Sequence, residues 1–256
     1  MSGARVTAGA WTRGAAVALA ILAGCLAGRA APPASPDAPE ALFFGSSTIA
    51  GSGASAPERR FTSLLARQAG WREINEGLPG STLTDVPGRA APSAEARWRA
   101  IAERGIHPAV VVVMYGANDA VAGVPLGEPG APGTFRNAAA SVLRGLRAAF
   151  PRAALVVCTP QPGRRLQRSR APYDAALADE ARAVGAIVLS GEDAFAVDAL
   201  PRYAADAIHL NDAGHAALAA HLERALLDAD VIAEPRVARA FRAGGPLIPR
   251  TTVPRP

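Results

Sequence analysis

The run Ala109-Val110-Val111-Val112-Val113-Met114 constrains the fold more than any other part of this chain. It is apolar at every position instead of at alternate ones, so a strand built from it has to be covered on both faces, as parallel strands in α/β domains are. The strand it marks is read as Ala109 to Tyr115, and four further short runs read as strands: Ala41 to Gly45, Trp71 to Asn75, Ala153 to Thr159 and Ala186 to Ser190. Between them lie segments of helical character, Glu58 to Gln68, Ala94 to Arg104, Phe135 to Ala149 and Pro172 to Val184. A last one follows from Asp212 to Asp228, with Asn211 placed to cap it. Such β-α alternation predicts a doubly wound, three-layer α/β/α domain with right-handed crossovers. At 256 residues one domain can bury a full core, and residues 41–230 are expected to form it.

The ends of the chain read differently. Arg5 and Arg13 form a positive n-region, and Gly14 to Gly24 is an alanine- and leucine-rich core too short to span a bilayer comfortably. It closes in Leu22-Ala23-Gly24-Cys25, which resembles a bacterial lipobox and implies a lipidated Cys25 as first residue of the mature chain. The alternative is an ordinary signal peptide cut near Ala30-Ala31. Residues 1–24 are thus expected to be a lipoprotein signal peptide and residues 25–40 a Pro/Ala-rich tether. Residues 231–256 are expected to form a partly disordered C-terminal extension. The expected location is the cell envelope, anchored to a membrane through lipid on Cys25, or else the periplasm or exterior. Cys158 then has no disulfide partner, and inside Leu155-Val156-Val157-Cys158 it reads as a small buried hydrophobe.

Charge excludes one class of function. All 27 basic residues are arginine, and without Arg5 and Arg13 there remain 25 basic against 22 acidic residues, a net +3. That charge is spread thinly and aromatic residues are 5% of the chain. Nucleic-acid binding wants a concentrated basic stripe with stacking aromatics, so no nucleic-acid partner is expected.

Three segments at predicted strand ends bear chemistry, and open α/β sheets place their active sites at that edge. Phe43-Phe44-Gly45-Ser46-Ser47-Thr48 offers two candidate nucleophiles. Gly116-Ala117-Asn118-Asp119 is expected as a loop after the valine strand, putting the Asn118 amide where it can donate to an oxyanion, with Asp119 supporting the loop. Asp206-Ala207-Ile208-His209 sets an acid three residues before a histidine, the pairing that makes an imidazole a competent base. Each has a plainer reading: a hydroxyl-rich turn, an Asx turn or helix cap, and a surface ion pair. His215 and His221 on the last helix, and His107 before a strand, read as structural. No histidines sit with carboxylates or cysteines at metal-ligand spacing, so no metal is expected.

In order and context these blocks resemble the SGNH (GDSL-type) hydrolase family over about Leu42 to Leu227. The family's first block is Gly-Asp-Ser, here Gly45-Ser46-Ser47, which makes Ser47 the nucleophile and puts Ser46 where the family has aspartate. Its second block, a glycine in an Asn-x-x-x-x-Gly context, matches Asn75 to Gly80, so Gly80 is implied as an oxyanion-hole N–H donor. A Pro-Gly turn is the plainer account of that segment. The resemblance implies a flavodoxin-like sheet of five parallel strands, no cofactor, a triad of Ser47, His209 and Asp206, and an oxyanion hole of Ser47, Gly80 and Asn118. No Gly-x-Ser-x-Gly elbow is present.

The expected activity is serine-dependent hydrolysis of carboxylic esters, with short-acyl carbohydrate or small-molecule esters favoured, by a monomer. The segment Gln161 to Arg170 holds Arg164, Arg165, Arg168 and Arg170, which either border the pocket and greet an anionic substrate or form a solvated loop. Two alternatives stay open at this point: a non-catalytic envelope lipoprotein that uses the fold as a binding module, favoured by Ser46, and an acyltransferase. A working nucleophile and base should stand within hydrogen-bond reach, allowing for looseness without substrate.

Overall fold

Five parallel strands lie in the order β2-β1-β3-β4-β5 in the computed structural model, which describes residue 35 and residues 37–163 and 167–233. They are β1 (Glu40–Gly45), β2 (Arg72–Gly77), β3 (Val110–Met114), β4 (Ala154–Thr159) and β5 (Ile187–Ser190). Each coincides with a run expected to be a strand, to within two residues at either end. The central strand β3 is buried at every position, because β1 and β4 flank it and helices cover both its faces. In register, Phe43 pairs with Val112 and Val112 with Val156.

Alternation along the strands separates two cores. Leu42, Phe44, Val111, Val113 and Val157 pack against α3 (Ala94–Ala102), α5 (Phe135–Ala149) and α6 (Gln167–Ala183). Phe43, Val110, Val112 and Val156 face the other way, onto α2 (Phe61–Ala69) and α8 (Asp212–Asp228). This is the three-layer doubly wound architecture expected. Three short helices fall outside the sequence reading: α1 (Ser47–Ala50), α4 (Ala117–Ala122) and α7 (Leu200–Tyr203). A single turn carries too little periodicity to be read from a sequence, and two of the three hold site candidates.

Asn211 caps α8, its side chain accepting from Gly214 N at 3.0 Å. Helix α6 corrects one boundary, since it begins at Gln167 and contains Pro172 instead of starting there. Its first turns are tied down by Arg170, whose Nη1 and Nη2 donate to the carbonyls of Gln161 (2.9 Å) and Pro160 (3.1 Å). Tertiary bonds thus extend the helix upstream of the proline, which alone would mark a start. The proposed signal peptide, including Cys25, the tether up to residue 34 and the C-terminal extension from residue 234 lie outside the described residues.

Candidate active site

The nucleophile candidates sit where β1 runs into α1. Ser46 is the helix N-cap and its side chain makes no capping bond, while Ser47 opens the single turn that ends at Gly51. Two glycines let this turn press onto the sheet. A Cβ at Gly45 would lie 2.3 Å from Ile49 Cγ1 and 2.6 Å from the Met114 carbonyl, and one at Gly77 would lie 2.1 Å from Ala50 N. From β2, Asn75 Nδ2 donates to the Ile49 carbonyl at 2.7 Å, satisfying a carbonyl that so short a helix cannot. Asn75 entered the sequence reading only as context for Gly80. Its support of the Ser47 turn requires β2 beside β1, a pairing that sequence order does not show.

Asn118 lies in the first turn of α4, which corrects the expected loop: Gly116, at φ 113°, turns the chain out of β3 directly into helix. Its Nδ2 donates to the Ser81 carbonyl at 2.8 Å. Asp119 is fully buried, and its two oxygens accept from Leu83 N (2.9 Å) and Thr84 N (3.0 Å). It therefore holds the loop after Gly80, a different segment from the Gly116 to Asp119 loop it was expected to support. Burial pushes its carboxyl above the usual range and the two backbone N–H groups pull it back. Gly80 has φ 78°, and its carbonyl accepts from Arg89 Nη2 at 2.9 Å. Among the described residues its N–H meets no acceptor.

The acid and base candidates form a tight pair. Asp206 Oδ2 lies 2.7 Å from His209 Nδ1, and Asp206 Oδ1 accepts from the backbone N–H of His209 and of Ile208, both at 2.7 Å. The carboxylate is held down to about 2, first by the imidazole bond and then by those two N–H groups. An ionised acceptor at Nδ1 keeps a proton there and leaves Nε2 with its lone pair. The segment is braced from two sides. Ala205 N donates to the His209 carbonyl at 2.9 Å. The loop after α1 also packs against it: a Cβ on Gly53, at φ 90°, would lie 2.2 Å from the Leu210 carbonyl and 3.2 Å from His209 Cβ.

Ser47 and Asn118 line one cavity of about 100 Å³, together with Val121, Gln161 and Ile208. Asp206 and His209 line a neighbouring one of about 370 Å³ walled by Leu200, Pro201 and Leu210. Pro162, Gly163, Ala207 and Ile208 belong to both. Gly80 lines neither, although Ser81 ties it to Asn118. No hydrogen bond joins Ser47 to His209; catalytic bonds of this kind commonly tighten only once substrate is bound.

The remaining titratable candidates fall into structural places. His215 is buried, stacked on Phe61, and accepts from Phe61 N through Nδ1 at 3.3 Å. His221 Nε2 lies 2.8 Å from the Ser190 carbonyl. Cys158 is fully buried and burial pushes its thiol up, so it remains a neutral, unreactive core residue. Arg170 corrects the idea of an arginine free to greet anions: it is 2% exposed and paired with Asp174 and Glu192. Arg164 and Arg165, and the side chain of Arg168, lie outside the described residues. Among those residues, no three His, Cys, Asp or Glu side chains cluster so as to hold a metal ion.

A five-stranded parallel sheet of this order, with helices on both faces, is the flavodoxin-like α/β class expected. The sequence profile of the GDSL-like lipase/acylhydrolase family matches residues 43–217. The chain belongs to that family, the SGNH hydrolases, and is an enzyme acting on ester bonds. Among solved structures, a protein from Lactobacillus plantarum is 25% identical with a TM-score of 0.62, covering 76% of this chain and 99% of its own. A carbohydrate acetylesterase from Sinorhizobium meliloti superposes with a TM-score of 0.59 at 17% identity, covering 75% of this chain and 99% of that one. A carbohydrate acetylesterase family member from the same organism gives 0.54 at 19% identity, over 74% and 98%. No curated protein matches the sequence.

Proposed function

We propose that the protein is a serine esterase in which Ser47 attacks the ester carbonyl, His209 is the base and Asp206 orients the imidazole. The observation that carries this reading is the Asp206-His209 pair, with Nδ1 bound to an ionised carboxylate at 2.7 Å and Nε2 left to accept a proton. In the first half-reaction Nε2 takes the Ser47 proton as Oγ adds to the carbonyl, then gives it to the departing alcohol oxygen. Water repeats the sequence on the acyl-enzyme, releasing the acid and restoring Ser47. The developing oxyanion is met by the Ser47 N–H, the Gly80 N–H and the second N–H of the Asn118 amide, whose first is spent on Ser81.

The roughly 100 Å³ beside Ser47 and Asn118 favours an acetyl or similarly short acyl group. The carbohydrate acetylesterases that share the fold make O-acetylated sugars the first substrates to try. The lipobox-like Leu22 to Cys25 supports a lipoprotein of the cell envelope, with lipid on Cys25. The test is turnover of p-nitrophenyl acetate, butyrate and octanoate by the protein and by its Ser47→Ala variant. Acetate is expected to be the best of the three, and the variant to be inactive with an unchanged circular dichroism spectrum. Full activity in the variant would remove Ser47 from the mechanism.

A further inference from the structure

We propose that Gln161 is a positioning residue that sets the spacing between the Ser47 turn and the His209 loop; the idea rests on the triad reading above. Gln161 follows β4, is 5% exposed, and spends both ends of one amide on the two halves of the site. Its Oε1 accepts from Thr48 Oγ1 at 3.2 Å, and its Nε2 donates to the Ile208 carbonyl at 3.3 Å. Thr48 is the residue after the nucleophile and Ile208 the residue before the base. The polarity admits one orientation, because a flipped amide would set two carbonyl oxygens against each other at Ile208.

The bridge is itself anchored. Arg170 Nη1 donates to the Gln161 carbonyl at 2.9 Å, and Arg170 is buried and paired with Asp174 and Glu192. Three chain segments therefore meet at one side chain: the turn after β1, the loop after β4 and the loop before α8. Covalent structure does not fix the distance from Ser47 to His209, and no direct bond does so here. Thr48-Gln161-Ile208 is the hydrogen-bonded path between their immediate neighbours. It restrains two segments whose relative displacement would lengthen the proton transfer. Displacements of about 1 Å in such positioning can cost up to about 100-fold in rate.

The experiment is a double-mutant cycle on the full chain with p-nitrophenyl acetate, using Thr48→Val, Gln161→Met and the pair together, with thermal melts alongside. Thr48→Val cuts one bond and keeps the shape; Gln161→Met cuts both. Gln161→Met is expected to lower kcat on the order of ten-fold with KM within about two-fold. Thr48→Val should lower kcat as well, and the double variant should be no slower than Gln161→Met alone, because both act through one bridge. Gln161→Glu keeps the acceptor for Thr48 but sets an oxygen against Ile208, so it should also lose kcat. Should Gln161→Met melt early, Thr48→Val, which keeps the shape, gives the same reading at lower perturbation. Wild-type kcat per folded molecule in these variants, or losses that multiply in the pair, would overturn the bridge. Ser47→Ala separates the two ideas. Turnover persisting in it overturns the triad and the bridge together. Its inactivity, beside an unaffected Gln161→Met, overturns the bridge alone.

Discussion

At the residue scale, the site depends on where a few donors and acceptors point. Asn118 spends one N–H on Ser81, which aims the amide and leaves the other for the oxyanion role proposed for it. Asn118→Ala is expected to lower kcat by about 10²–10³-fold with little change in KM, the usual cost of one oxyanion donor, as steady-state kinetics would show. Asp206→Asn should keep the loop but lose the ionised acceptor at Nδ1, lowering kcat by up to about 10⁴-fold. Asp119 is the contrast: it touches no substrate in this reading and holds Leu83 and Thr84. Asp119→Ala strands those two buried N–H groups at about 1–3 kcal/mol each, so the loss should appear in urea unfolding before it appears in kinetics.

At the element scale, the Ser47 turn is too short to hold itself and is placed by its neighbours. Gly45 and Gly77 bring the strand ends within contact of α1, and Asn75 caps it from β2. At Gly77 the constraint is steric and falls on backbone: the added methyl of Gly77→Ala would sit 2.1 Å from Ala50 N. The turn must shift to admit it, so kcat should fall by an order of magnitude or more, while β2 pairs as before. Restored activity in a well-folded Gly77→Ala would mean that α1 is looser than its packing indicates. Helix α6 shows the same dependence on neighbours, since Arg170 and its partners carry it upstream of Pro172.

At the scale of the whole molecule, the buried Arg170 cluster gives stability a dependence on pH. Asp174 Oδ2 pairs with Arg170, but its Oδ1 is buried with no partner among the described residues. Burial is the main cause that lifts its carboxyl from 3.8 to about 6. The folded protein therefore holds this proton more tightly than the unfolded chain. The resulting stability is complete below about pH 4 and lost as pH rises through 6, about 3 kcal/mol for a shift of that size. Burial lowers the His215 imidazole and works in the opposite direction, so urea unfolding from pH 4 to 7 should show stability falling more, or rising less, with pH in the parent than in Asp174→Asn. Equal slopes would place the proton elsewhere.

Much of this molecule is legible along the chain. Apolar runs marked the inner strands, most plainly β3, because burial on both faces leaves no room for alternation, whereas β2 at the sheet edge carries Arg72, Glu73 and Glu76; the longer helices followed from their spacing and the Asn211 cap. The Asp206-His209 pair was readable because three residues span it, and chemistry at such range needs no fold to bring it together. What the sequence could not supply is everything that crosses the sheet. That Asn75 braces Ser47, that Asp119 holds the loop after Gly80, that Arg170 is buried instead of facing solvent, and that Gln161 spans the two halves of the site all depend on the order β2-β1-β3-β4-β5. Strand order is set by which buried faces fit together, a long-range packing outcome that local spacing does not record.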